Sequence, residues 1–187
     1  MTGDCKNTAY RILPVLFVLL GLGALEAKAQ LPMANKPLPR VEGGTVTLSS
    51  LTGSQGTVVI FWSSQCPWTQ RYTDRLAQIE QTFSSQGIGF VLINAGGAPE
   101  AGTALSGIPY LQDESGAMAR AFGAERTPHV FVYDAQNTLV YVGAIDDSPA
   151  DPSNVQKAYL RNVLEALVSG QPVPVERTAA YGCMISQ

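Results

Sequence analysis

Cys66 is the residue of this sequence best placed to act as a nucleophile. It directly precedes Pro67, and proline suits the first position of an α-helix. A helix N-terminus leaves backbone N–H groups unpaired and carries about half a positive charge. A thiol held there loses its proton more readily, and the thiolate is the form that attacks. Trp62 and Trp68 flank the cysteine and are expected to shield its sulfur or offer an apolar surface to a partner. The other residues with covalent chemistry are few. His129 is the only histidine, and the remaining cysteines are Cys5 and Cys183. One histidine and two distant cysteines have no metal-ligand spacing, so no metal and no other cofactor is expected. Adjacent strand residues face opposite ways. His129 is therefore read as a half-buried strand residue in preference to a proton carrier beside Cys66. Asp146, Asp147 and Asp151 read as a solvated approach to a helix. Ser63 and Ser64 lack a Ser-His-Asp context, and the Gly96–Gly107 stretch does not match a phosphate loop.

The elements that must position Cys66 follow from the pattern on either side. Thr57-Val-Val-Ile-Phe-Trp62 is an unbroken β-branched and aromatic run, as in a strand covered on both faces. Ser63-Ser64-Gln65 turns the chain. The spacing of Tyr72, Leu76, Ile79 and Phe83 then predicts a helix from Pro67 to about Ser84 with one apolar stripe. Ile88 to Ala95 is a second buried-type strand, so strand, helix and strand make a parallel unit with a right-handed crossover. Further elements are expected at Thr45–Leu48, Tyr110–Asp113, a helix at Ser115–Phe122, a hairpin of Thr127–Asp134 with Thr138–Val142, and a helix at Ser153–Ser169. Together these make an α/β fold, a mixed β-sheet with helices on both faces. Cys66 lies just past the end of a central strand, where such sheets place their sites.

The N-terminus has a different logic. Lys6 and Arg11 precede an apolar stretch, Ile12 to Leu25, and Ala27-Lys28-Ala29 follows. That is the pattern of a secretory signal, and the stretch falls short of the ~20 residues that span a bilayer. The expected division is a signal peptide at 1–29, a proline-bearing linker at 30–40, one domain at 41–170 and a C-terminal tail at 171–187. Cleavage removes Cys5 and leaves an exported protein, periplasmic or secreted, without a permanent membrane span. Two cysteines remain, and an even number in an exported protein favours a disulfide. The full chain has 12 basic and 15 acidic residues and no basic stripe, so no nucleic-acid partner is expected.

Phe61-Trp62-Ser63-Ser64-Gln65-Cys66-Pro67-Trp68 resembles the active-site segment of thioredoxin-like proteins, and Thr127-Pro128 resembles their cis-proline dipeptide. Tyr110–Asp113 and Val130–Asp134 are similar to the redoxin branch, which includes the alkyl hydroperoxide reductase/thiol-specific antioxidant group. The resemblance covers roughly residues 41 to 170. It implies a thioredoxin-like fold with Pro128 in the cis form facing Cys66. Thr127 would then pair through its backbone with an extended substrate segment. Thr69 stands where Cys-x-x-Cys relatives carry a second cysteine, and is expected to donate a hydrogen bond to the Cys66 thiolate. Ser63 matches the Thr or Ser that peroxiredoxins carry three residues before their cysteine. Val59 stands where they carry a proline. Arg126, with Arg71 behind it, is the nearest arginine by position to stand beside the sulfur.

Tails ending in Gly-Cys-x-Ile occur in some redoxin-like proteins with a single active-site cysteine, which implies a resolving role for Cys183. Three states stay open: a redox pair, a permanent bond worth roughly 4–5 kcal/mol in the chain-entropy account, and two thiols that never meet. The resemblance implies a thiol oxidoreductase acting on a protein thiol or disulfide or on peroxide, served by a separate reductant. Two other readings compete: a binding or scaffold module without catalysis, and a membrane-anchored assembly factor for a metal or haem centre.

Overall fold

The computed structural model describes residues 29–94, 105 and 107–186. The expected signal segment, Ala29 apart, and most of the Gly96–Gly107 stretch lie outside them. The 30–40 segment is not a free linker. Pro37–Pro39 (β1) pairs antiparallel with Thr45–Thr47 (β2), and prolines are tolerated in such short edge strands. Between the two exposed prolines Leu38 points inward and is buried, as is Leu31. The backbone of Leu31 donates to Asn137, and Leu139 donates to Ala29. Inward leucines and ladder bonds make this segment part of the body.

The central sheet has five strands: β3 (Gly56–Trp62), β4 (Ile88–Asn94), β5 (Tyr110–Gln112), β7 (His129–Asp134) and β8 (Leu139–Gly143). A two-residue strand, β6 (Arg126–Thr127), precedes β7. The spatial order is β5-β4-β3-β7-β8. β3 runs parallel to β4 and antiparallel to β7, and β7–β8 is the expected hairpin. Every residue of β3 is buried, because alternate side chains serve two cores. Val58, Ile60 and Trp62 pack with α1 (Pro67–Phe83) and α3 (Tyr159–Val168). Val59 and Phe61 pack with α2 (Ala117–Phe122). The expected mixed sheet with helices on both faces is the observed one.

Two expectations near α3 are corrected. The helix begins at Tyr159, with only a single 3₁₀ turn at Pro152–Asn154. Asp147 Oδ1 accepts the N–H groups of Gln156 and Lys157, both at 3.0 Å, and Asp151 accepts that of Ser153. Such side-chain bonds compete with a helical ladder and delay the helix. Asp146 is not solvated. It is buried, 2.6 Å from Arg75 Nη1 and 2.9 Å from the Tyr72 hydroxyl that donates to it. This pair ties α1 to the loop before α3. Burial and the Asp146 charge push the Tyr72 hydroxyl far above its ordinary pKa, so it remains a donor.

The tail after α3 is built into the molecule. Val142 N donates to Glu176 O, and Thr178 N donates to Val142 O. The Thr178 hydroxyl sits 2.7 Å from that of Tyr141 and accepts from Ala144 N. Beyond this anchor the chain crosses to β6, where Cys183–Met184 (β9) pairs with it antiparallel.

Candidate active site

Cys66 occupies the N-cap position of α1, with extended backbone angles and Pro67 at the start of the helix. That is the place where a serine or aspartate oxygen would receive the first free amides, and no side chain caps this helix. β3 delivers the chain here. The turn closes when Cys66 N donates to Ser63 O and Gln70 N to Cys66 O, both at 3.2 Å. Opposite lies the Thr127–Pro128 peptide, which is cis, as the resemblance implied. The Thr127 carbonyl oxygen is 3.3 Å from Cys66 Sγ.

Cys66 and Cys183 are joined in a disulfide that spans 117 residues, with Cα atoms 6.1 Å apart. The thiols therefore meet, which removes the third of the three open states. Cys66 is 3% exposed, whereas Cys183 is half-buried. A cleft of about 210 Å³ opens beside the pair, lined by both cysteines, Thr127 and Ile185.

The other expected site residues fall into two groups. Ser63 and Thr127 line the cleft beside the disulfide, Pro67 opens α1 next to Cys66, and Pro128 follows Thr127 through the cis bond. Thr69 does not address the sulfur. Its hydroxyl lies 2.7 Å from the Cys66 carbonyl oxygen and very close to that of Ser63, so it holds the turn that presents the cysteine. Trp62 is 2% exposed and belongs to the core beneath α1, because it continues the inward alternation of β3. It offers no surface to a partner. Trp68 does stand at the site, in edge contact with Tyr181 of the tail at 4.7 Å. Arg126 is turned to the tail, donating from Nη1 to Gly182 O at 3.0 Å. Arg71 donates to Ala150 O and lies over the Trp68 ring. The residue missed in the sequence is Thr178, which anchors the tail on β8, while Gly182 and Ile185 of the Gly-Cys-x-Ile ending seat its last strand. A lone threonine in a tail without periodicity gives no signal of its own.

His129 is buried beside Phe131, and its Nδ1 accepts the Glu125 N–H at 3.3 Å. It is therefore neutral with the proton on Nε2. Burial lowers its pKa from 6.5 to about 4, against an upward pull from Glu125 and with a further downward push from Arg177. Between these values the unfolded chain binds a proton that the native ring refuses, so stability falls as pH drops from 6.5 to 4. The expected loss is on the order of 3 kcal/mol. Urea titrations across that window check it, and His129→Gln, which keeps an acceptor for Glu125, should flatten the dependence.

A cysteine at an uncapped helix N-terminus, beside a cis-proline peptide on an α/β sheet of this order, defines a thioredoxin-like fold. The Redoxin family model matches residues 26–159, and the chain belongs to that family. No curated protein matches the chain. Among solved structures it is similar to a hypothetical protein from Sinorhizobium meliloti, with 32% identity, TM-score 0.72, and coverage of 83% of this chain and 92% of that one. An uncharacterized conserved protein from Geobacillus kaustophilus has 29% identity and TM-score 0.76, covering 86% and 91%. A secreted disulfide oxidoreductase from Mycobacterium tuberculosis shares the fold at 18% identity and TM-score 0.54, covering 74% and 97%.

Proposed function

We propose that this chain is an exported thiol–disulfide oxidoreductase in which Cys66 is the nucleophile and Cys183 the resolving thiol. The observation that carries the reading is the bond between a cysteine at the N-cap of α1 and a half-buried cysteine on a strand beside the cis-proline. In the reducing direction the Cys66 thiolate attacks a substrate disulfide and one substrate thiolate leaves. The Cys183 thiolate then attacks the Cys66 sulfur of the mixed disulfide and expels the second. Two electrons pass from the two cysteines to the substrate, and the Cys66–Cys183 bond remains. A separate dithiol restores the pair by attacking the more accessible Cys183 sulfur. Cys66 then leaves as a thiolate at the helix N-terminus, and a lower-pKa thiol leaves faster. Run backwards, the same steps oxidise a substrate dithiol.

Exchange is favoured over peroxide reduction because, with the disulfide formed, neither expected arginine addresses the sulfur: Arg126 donates to Gly182 O of the tail and Arg71 to Ala150 O. Export is supported by the signal pattern of residues 1–29 and by the disulfide, since such bonds persist in oxidising compartments. Among the described residues no helix is long and apolar enough to cross a membrane.

The test supplies the reduced protein with a disulfide-linked fluorescent peptide in one arm and hydrogen peroxide in another. Turnover of the peptide with formation of the Cys66–Cys183 bond is expected, with no peroxide consumption above that of a Cys66→Ser control. Peroxide consumption with a dimedone adduct on Cys66, and no peptide turnover, overturns the exchange reading. Inertness in both arms leaves the scaffold reading.

A further inference from the structure

The tail does more than deliver a thiol. It lies on β6 as an extended segment, and the contacts it makes are unequal along its length. Cys183 stands opposite Thr127 and Met184 opposite Arg126, and Ile185 N donates to Glu125 O at 2.9 Å. Arg126 holds the Gly182 carbonyl. These bonds address backbone, so any extended chain satisfies them.

Two positions are read by shape. Gly182 has φ +149°, and a Cβ there would sit 2.0 Å from the Thr127 carbonyl oxygen and 2.7 Å from its carbon. Both neighbours are backbone atoms and cannot swing away, so a side chain is excluded. Ile185 is 8% exposed and joins the core cluster that includes Phe122 and Ala124, so an apolar side chain is required. Met184 between them is 79% exposed and is not read. Without the tail, β6 would present a short edge of unpaired backbone groups above an apolar socket, the surface that accepts an added strand.

We propose that this edge selects its client by the rule its own tail obeys: an extended protein segment of the form Gly-Cys-x-aliphatic, with its cysteine where Cys183 stands. This rests on the exchange reading above and names its substrate class. In the reduced protein the tail and the client compete for β6. When the client docks, Cys66 attacks the client cysteine sulfur of a disulfide, the S–S bond breaks, and the client's former partner leaves as a thiolate.

The experiment uses the reduced full chain carrying Cys183→Ser and blocked peptides of sequence Tyr-Gly-Cys-Met-Ile. The peptide cysteine is held as a mixed disulfide with thionitrobenzoate, whose release is coloured. Alanine in place of the peptide glycine, and aspartate in place of its isoleucine, should each slow release about tenfold or more. Lysine in place of methionine should change it less than about twofold. The chain's own tail competes equally with all four peptides, so the ratios stand. Equal rates for every peptide, matching the thionitrobenzoate disulfide of free cysteine, overturn the selection rule and leave exchange intact. Failure of every probe, free cysteine's included, overturns the exchange reading and this rule with it.

Discussion

With serine in place of Cys183, Cys66 should accumulate in a mixed disulfide with its substrate, and steady-state turnover should fall by about 100- to 1,000-fold. The size follows from how the tail is tethered. Its last anchor on the central sheet is Thr178, whose backbone and hydroxyl bond Val142, Tyr141 and Ala144. Only Ala179 to Gly182 separate that anchor from Cys183. A short flexible tether holds its end at a millimolar effective concentration. An external thiol at about 10 µM that must replace it is therefore slower by about 100-fold or more. Non-reducing mass spectrometry during turnover checks the prediction. The adduct should map to Cys66 alone, and Cys66→Ser should form no adduct. If Cys183→Ser turns over at the rate of the unaltered protein, the tail thiol does not resolve the intermediate and the bond is structural.

The sequence carried most of what positions Cys66 because that information is local. The β3 run, the stripe Tyr72, Leu76, Ile79 and Phe83, and Pro67 after the cysteine each act within a few residues, and each appears in the structure. The cis form at Pro128 came from resemblance, since proline alone favours trans. What escaped was decided by partners distant in the chain. Asp146 reads as a loop acid until α1 brings Arg75 and Tyr72 against it. Trp62 reads as a flank of the cysteine, yet in a strand buried on both faces no alternation of polarity shows which face it takes. Thr69 reads from sequence as a donor to the sulfur, and the tightness of the Ser63–Cys66 turn directs its hydroxyl to the carbonyls instead. The tail was legible as a carrier of Cys183 but not as a strand, because β6–β9 is two residues long and has no pattern of its own.

Reducing the Cys66–Cys183 bond should lower the stability of the fold by up to about 5 kcal/mol. The bond closes a loop across 117 residues, and the chain-entropy account scales with the logarithm of that length. For a domain of this size the shift in thermal midpoint is about 10–20 °C. The full value requires that the reduced tail stay docked, so that only the unfolded chain gains freedom. If Tyr181 to Ile185 peel away on reduction, the native state recovers part of that entropy and the gap narrows. Matched unfolding of the oxidised protein and of Cys183→Ser therefore measures release of the tail as well as strength of the bond. A gap near 5 kcal/mol describes a strand that remains on β6 without its covalent link. A gap nearer 2–3 kcal/mol describes one that leaves and exposes the edge. The second result is the one a client-binding site needs, because β6 is free to take another strand only when its own has departed.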